Sequence, residues 1–164
     1  MKSFYQFAFI VFLVLLLGCR QPPPQTLTTV ENNAITKEIK GQFNQFVSAI
    51  NKMNVEEWSN FYSKENFVSA IVGTDYYSSR NTFIDSIKYY FSMRQSQNIK
   101  PQFIRVEALA PNLALMTSEE KPEILLKNGQ NNISKHVFTM IWKKENEGWK
   151  ILHSHESWIE IKNP

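Results

Sequence analysis

The residues best suited to chemistry lie near the C-terminus, where GWKILHSHESWIEIK sets His153 and His155 two positions apart with Glu156 beside them. Two imidazoles at that spacing share one side of a strand and can meet a metal ion from there. A carboxylate next to an imidazole can also serve as an acid/base pair. Period two, however, sends Glu156 to the other face, so the strand itself supplies two ligands at most, with His136 the remaining histidine that could join a set. No third ligand is identified, so no metal site is expected. The alternative for the pair is two histidines packed at a sheet surface with hydrogen-bonded tips. Asp75 and Asp85 are the only aspartates, and Asp75, in TDYYSSR, reads as a solvated turn residue. Asn132-Ile133-Ser134 matches a glycosylation sequon, to which no role is assigned. No cofactor motif is present, and no cofactor is expected.

Something must position these groups, and 164 residues with 43% hydrophobic content are enough for one compact domain. The 18 basic and 15 acidic residues, net +3, are mixed along the chain without a basic run. A nucleic-acid partner is therefore not expected. The start, MKSFYQFAFIVFLVLLLGCRQPPP, has one cation, an apolar run from Phe7 to Leu17, then LLGC. That order resembles a bacterial lipobox, which implies a signal peptide over 1–18 and a lipidated Cys19. Cys19 is the only cysteine, so lipidation leaves no thiol for disulfides, nucleophiles or metal. The membrane is then an anchor rather than a substrate, held at ~0.8 kcal/mol per buried methylene. Arg20 after the cysteine resembles outer-membrane sorting, so the expected location is the bacterial cell envelope, on the periplasmic side of the outer membrane. Residues 19–34, with Pro22 to Pro24, read as a semi-rigid spacer, and 35–164 as the folded domain.

Within that domain Ile35, Ile39, Phe43, Phe46, Val47 and Ile50 recur at helical steps. Asn54 and Glu57 suggest a capping box opening a short helix with Trp58, Phe61 and Tyr62. FVSAIVG reads as a strand closed by Gly73, and 79–93 as a third helix. After Pro101 the period becomes two: turns at Pro111-Asn112, Asn128-Gly129 and Glu145-Asn146 divide four strands. The order α-α-β-α-β-β-β-β predicts an α+β domain whose helices cover one face of a curved antiparallel sheet.

With NVEEWSNFYSKENFV after the first helix and WKILHSHES in the last strand, the chain resembles the nuclear transport factor 2-like superfamily, in its SnoaL-like branch. The resemblance spans about residues 35 to 161 and implies a cone-shaped sheet wrapped around three helices, with a pocket in its concave face. Ketosteroid-isomerase-like members need a carboxylate base and two oxyanion donors. Alignment on Asn54 and Tyr62 places the base at Ala70 and a tyrosine donor at Phe46. Alignment on Trp149 and Ser157 places the second donor at Thr139. None of these side chains does that work as the family does, so that mechanism is not expected. The same alignment turns Leu152, Ser154 and Glu156 to the pocket and Trp149, Ile151, His153, His155 and Ser157 outward; separately, if Trp142 sits across the hairpin from Trp149, Thr139 pairs with Leu152 and shares its face. The apolar odd-numbered residues argue the reverse, and dimerisation through the outer face would account for them. Phe46, Trp58 and Tyr62 either line the pocket or are plain core.

The function expected on these grounds is a lipid-anchored, homodimeric, non-catalytic domain that binds a small apolar or amphipathic ligand through Phe46, Trp58, Tyr62, Ala70, Thr139, Leu152, Ser154 and Glu156. The alternatives are an isomerase, dehydratase or hydrolase using Glu156 with Tyr62 or Ser154, and a structural or interaction module of the envelope.

Overall fold

The computed structural model describes residues 26–161. The expected signal peptide (1–18), Cys19 and most of the expected spacer (19–34) lie outside the described residues. The first helix, α1 (Thr29–Asn51), opens six residues before Ile35. Its start is marked by a capping box rather than by apolar spacing: Thr28 Oγ1 accepts from Glu31 N at 3.2 Å, and Thr28 N donates to Glu31 Oε2 at 2.8 Å. Its first turn is solvent-exposed, so periodicity shows nothing there. Below it the stripe from Ile35 to Ile50 is buried as expected. Met53 at φ 53° turns the chain into α2 (Val55–Ser59), where Asn54 Oδ1 accepts from Glu57 N at 3.1 Å. Arg80 closes the far end, Nη2 donating to Ser59 O at 2.6 Å and Nε to Tyr62 O at 3.3 Å.

The strands are β1 (Ser69–Val72), β2 (Asp75–Tyr77), then after α3 (Arg80–Met93) β3 (Arg94–Ala110), β4 (Leu113–Leu126), β5 (Asn131–Glu145) and β6 (Gly148–Glu160). They form one curved sheet in the order β2-β1-β6-β5-β4-β3. The fold is α+β, with the helices in the N-terminal half and the meander after them. β1 runs parallel to β6 and every other pairing is antiparallel. Two features depart from the expectation. TDYYSSR holds a short sixth strand, β2, and β3 begins directly after α3 instead of after Pro101. Pro101 is tolerated because β3 is a sheet edge, where the absent N–H costs one register shift and no ladder.

The decisive detail is in β6. Trp149 and Ile151 are buried, and so is Ser154, while His155 and Ser157 are exposed. A register shift explains the change of phase: Trp142 pairs with Ile151 and Ile141 with His153, leaving Leu152 as an extra residue. This bulge reverses the faces of the strand beyond it. Its carbonyl is not wasted, since Val68 N donates to Leu152 O at 2.8 Å. Trp149 and Ile151 are thus core residues and not outer-face ones. The apolar pattern is right before the bulge and the family alignment after it. Thr139 pairs with His155, not Leu152, and lies on the face opposite to buried Phe138 and Met140. Inside, Ile39, Phe43 and Phe46 of α1 belong to one core with Met116, Met140, Trp142 and Ile151 of the sheet.

Candidate functional site

A cavity of about 220 Å³ remains between the helices and the ends of β5 and β6. One wall carries Phe46, Trp58 and Phe83 of the helices with Tyr62 just after α2, and the sheet wall Ser134, His136 and Phe138 of β5 with Ser154, Glu156 and Trp158 of β6. Arg94, at the junction of α3 and β3, closes one side. A 150 Å³ cavity accommodates benzene, so this one takes a compact molecule of about one or two rings.

Five of the eight residues expected at a pocket line this one: Phe46, Trp58, Tyr62, Ser154 and Glu156. Three do not. Ala70 is wholly buried in the core, where its methyl leaves no face on the cavity, and its neighbours Ile71 and Val72 reach it instead. Leu152 is the bulged residue, and Thr139 points through the other side of the sheet. His153 and His155 are likewise absent from the cavity; His153 Nδ1 meets Ser69 Oγ at 2.8 Å. Among the described residues no three His, Cys, Asp or Glu side chains gather closely enough to hold a metal ion. Asp75 sits on β2, where Tyr90 OH reaches its Oδ2 at 3.5 Å, outside the cavity.

The group that sequence reasoning undervalued is His136. Glu156 Oε1 accepts a hydrogen bond from its Nδ1, and its Nε2 lies 2.7 Å from Ser134 Oγ. Trp158 stacks on the imidazole, ring centroids 5.7 Å apart and planes 26° from parallel. The three polar groups share one face because Ser134 and His136 are two apart on β5, and because the bulge turns Glu156 to the same side. The signal was present: from buried Trp142, period two back along β5 gives Met140, Phe138, His136 and Ser134. Glu156 is therefore better described as the partner of an imidazole than as a lone pocket carboxylate.

The surroundings are set to hold charge in few places. Glu120, opposite His136 in the β4–β5 register, is 2% exposed and accepts from Ser118 Oγ at 3.1 Å. Burial, then the charge of Glu156, pushes its carboxyl up to about 8, so it is largely neutral at pH 7. Burial likewise raises the Tyr62 phenol far above its ordinary range, and it donates to Ser154 Oγ at 3.1 Å as a neutral group. Burial lowers Arg94, with the Glu156 charge opposing that shift, and its guanidinium is held by Gln97. The arrangement can exchange a proton through His136, offer Arg94 to an electron-rich oxygen, and grip an apolar body between aromatic rings.

The profile of the SnoaL-like domain matches residues 39–161, three quarters of the chain. The chain belongs to the SnoaL-like domain family. This SnoaL-like domain is similar to solved structures of the nuclear transport factor 2-like superfamily. One is a superfamily protein from Salmonella enterica at 17% identity, covering 76% of this chain and 91% of that one with a TM-score of 0.71. A candidate scytalone dehydratase from Novosphingobium aromaticivorans gives 10% identity, coverages of 84% and 94%, and a TM-score of 0.74. A hexachlorocyclohexane dehydrochlorinase, LinA type 2, gives 11%, 84% and 95%, and 0.69. At these identities the likeness is one of fold. No relative is found among curated proteins.

Proposed function

We propose that the SnoaL-like domain is a cofactor-independent acid/base enzyme for a compact, mainly apolar substrate. In this reading His136, oriented by Glu156, removes a proton from carbon, and the product forms by isomerisation or by elimination of a leaving group. The observation that carries it is the hydrogen-bonded His136–Glu156 pair facing a cavity otherwise lined mostly by apolar and aromatic side chains. Glu156 fixes the ring and stabilises the imidazolium formed on proton transfer, while Arg94 faces developing negative charge on the substrate. The family's usual base and donor positions, Ala70, Phe46 and Thr139, are silent here, but the base of this site comes from β5. The names of two structural relatives, a dehydratase and a dehydrochlorinase, belong to the same broad reaction class.

Proton exchange tests the reading without knowing the substrate. Incubating the protein with small cyclic ketones in D₂O should exchange their acidic C–H protons, followed by NMR. His136→Gln and Glu156→Gln should each slow that exchange by about 10²–10⁴-fold. If the ketones raise the melting temperature yet exchange no faster than in buffer, the cavity only binds, which is the non-catalytic function expected from the motif positions.

We further propose that Cys19 carries lipid and ties this domain to the cell envelope, with residues after it as a short spacer to Thr28. Its support is the LLGC motif. Cys19→Ser should move the protein from the membrane to the soluble fraction of cells; an unchanged distribution would remove the anchor from the account. Native mass spectrometry of the domain tests the expected homodimer.

A further inference from the structure

The nitrogen through which His136 would act already faces a hydroxyl. Glu156, as a carboxylate, only accepts hydrogen bonds, so the proton of a neutral His136 resides on Nδ1. Nε2 is then a bare acceptor, and the 2.7 Å contact is one in which Ser134 Oγ–H donates to it. Ser134 is itself a cavity-lining residue, two positions from His136 on the same face of a rigid strand. Carboxylate, imidazole and hydroxyl in that sequence of hydrogen bonds are the parts of an activated serine nucleophile. Two groups that can face an oxyanion border the same cavity. Asn132 lies two residues before Ser134, and the Arg94 guanidinium makes a single side-chain hydrogen bond among the described residues, to Gln97.

The geometry points to Ser134 as a nucleophile and to a second activity of the cavity, hydrolysis of small carboxylic esters with an apolar acyl or alcohol part. This rests on the reading of His136 and Glu156 as an acid/base pair. Ser134 Oγ attacks the ester carbonyl carbon while its proton passes to His136 Nε2, and Arg94 and Asn132 face the tetrahedral oxyanion. The carbon–oxygen bond to the alcohol breaks, and the departing oxygen takes the proton from Nε2, leaving an acyl group on Ser134. Water then attacks that acyl carbon, giving a proton to Nε2. Collapse expels Ser134 Oγ, which recovers the proton, and the carboxylic acid is released. No metal, oxidant or second substrate other than water enters the balance.

Labelling of the full chain with an alkyl fluorophosphonate, followed by intact mass and peptide mapping, decides the matter. One adduct on the peptide carrying Ser134 is expected, absent from Ser134→Ala and formed at least about 100-fold more slowly in His136→Gln. 4-Nitrophenyl acetate should give a burst of nitrophenolate approaching one equivalent. A protein that stays unlabelled while a known serine hydrolase in the same tube is fully modified overturns the inference. So does an adduct spread over surface serines. Mapping on the wild-type chain suffices, so a Ser134→Ala that fails to fold leaves the result intact. Ketone proton exchange run alongside separates the two readings: exchange without an adduct removes only the nucleophile, and neither signal removes both.

Discussion

Gly73 shows how closely a single residue is tied to the site. It turns β1 into β2 at φ 63°, a conformation that L side chains rarely adopt, and its N–H donates to Glu156 O at 2.9 Å. A Cβ there would come within 2.6 Å of the Trp158 indole, the ring that stacks on His136. Gly73→Ala therefore combines backbone strain of about 1 kcal/mol with a push on the indole. The expected outcome is a lowered melting temperature together with a shifted Trp fluorescence spectrum, and a larger loss of ketone exchange than the stability change explains. An alanine variant with wild-type exchange rate would show that the indole does not hold the imidazole. A second residue-scale prediction concerns Tyr62, whose buried hydroxyl meets Ser154. Tyr62→Phe leaves the aromatic core in place and should cost about 1 kcal/mol in chemical denaturation, because Ser154 Oγ loses its buried donor. A cost below a few tenths would mean that Ser154 finds another partner.

At the scale of elements, the cap of α1 is the feature most exposed to a simple test. Thr28 and Glu31 exchange three hydrogen bonds at a helix end whose first turn is exposed, with Leu27 before the cap packed against the core. Thr28→Ala should cost roughly 0.5–2 kcal/mol if the first turn is coupled to the core at Ile35, measured by urea unfolding. Faster amide exchange confined to residues 29–34 with an unchanged midpoint would show the turn frays independently. These elements also show what could be read in advance. The buried stripe of α1, the Asn54 cap and the glycine-bearing turns were legible because each rests on local periodicity or on one residue's backbone preference. The bulge at Leu152 was not, since nothing local marks an extra residue, and two opposite readings of β6 each held for half of it. Thr139 and Leu152 were misplaced for the same reason. Ala70 was misplaced differently, because helix anchors do not count residues into a strand whose neighbours supply the wall. His136 was not legible as part of a site because its partner, Glu156, lies twenty residues away and is turned toward it only by the bulge.

For the whole molecule, the same burial that shapes the cavity sets how stability follows pH. Glu120 is protonated more readily in the fold than in the unfolded chain, about 8 against the ordinary carboxyl value of 4.5. Between those values the folded state binds more protons, so the contribution of Glu120 is complete below about 4.5 and is lost as pH rises through 8. Each unit of pH in that window removes up to ~1.4 kcal/mol, an upper bound because a buried site relaxes or admits water once charged. Other groups slope the opposite way. Glu38 is held low by hydrogen bonds from Lys144 and Trp149, so its contribution is lost as pH falls. Burial lowers His153, which resists the charge that acid would place on it. The raw pH curve therefore mixes rising and falling limbs, and the difference between Glu120→Gln and wild type isolates one of them. Glutamine keeps an acceptor for Ser118 Oγ and cannot ionise. The variant should match wild type near pH 4.5, gain on it steadily in melting temperature toward pH 8, and hold a constant advantage above that. Parallel curves across the range would place Glu120 in contact with water and dissolve the account of a neutral acid behind His136.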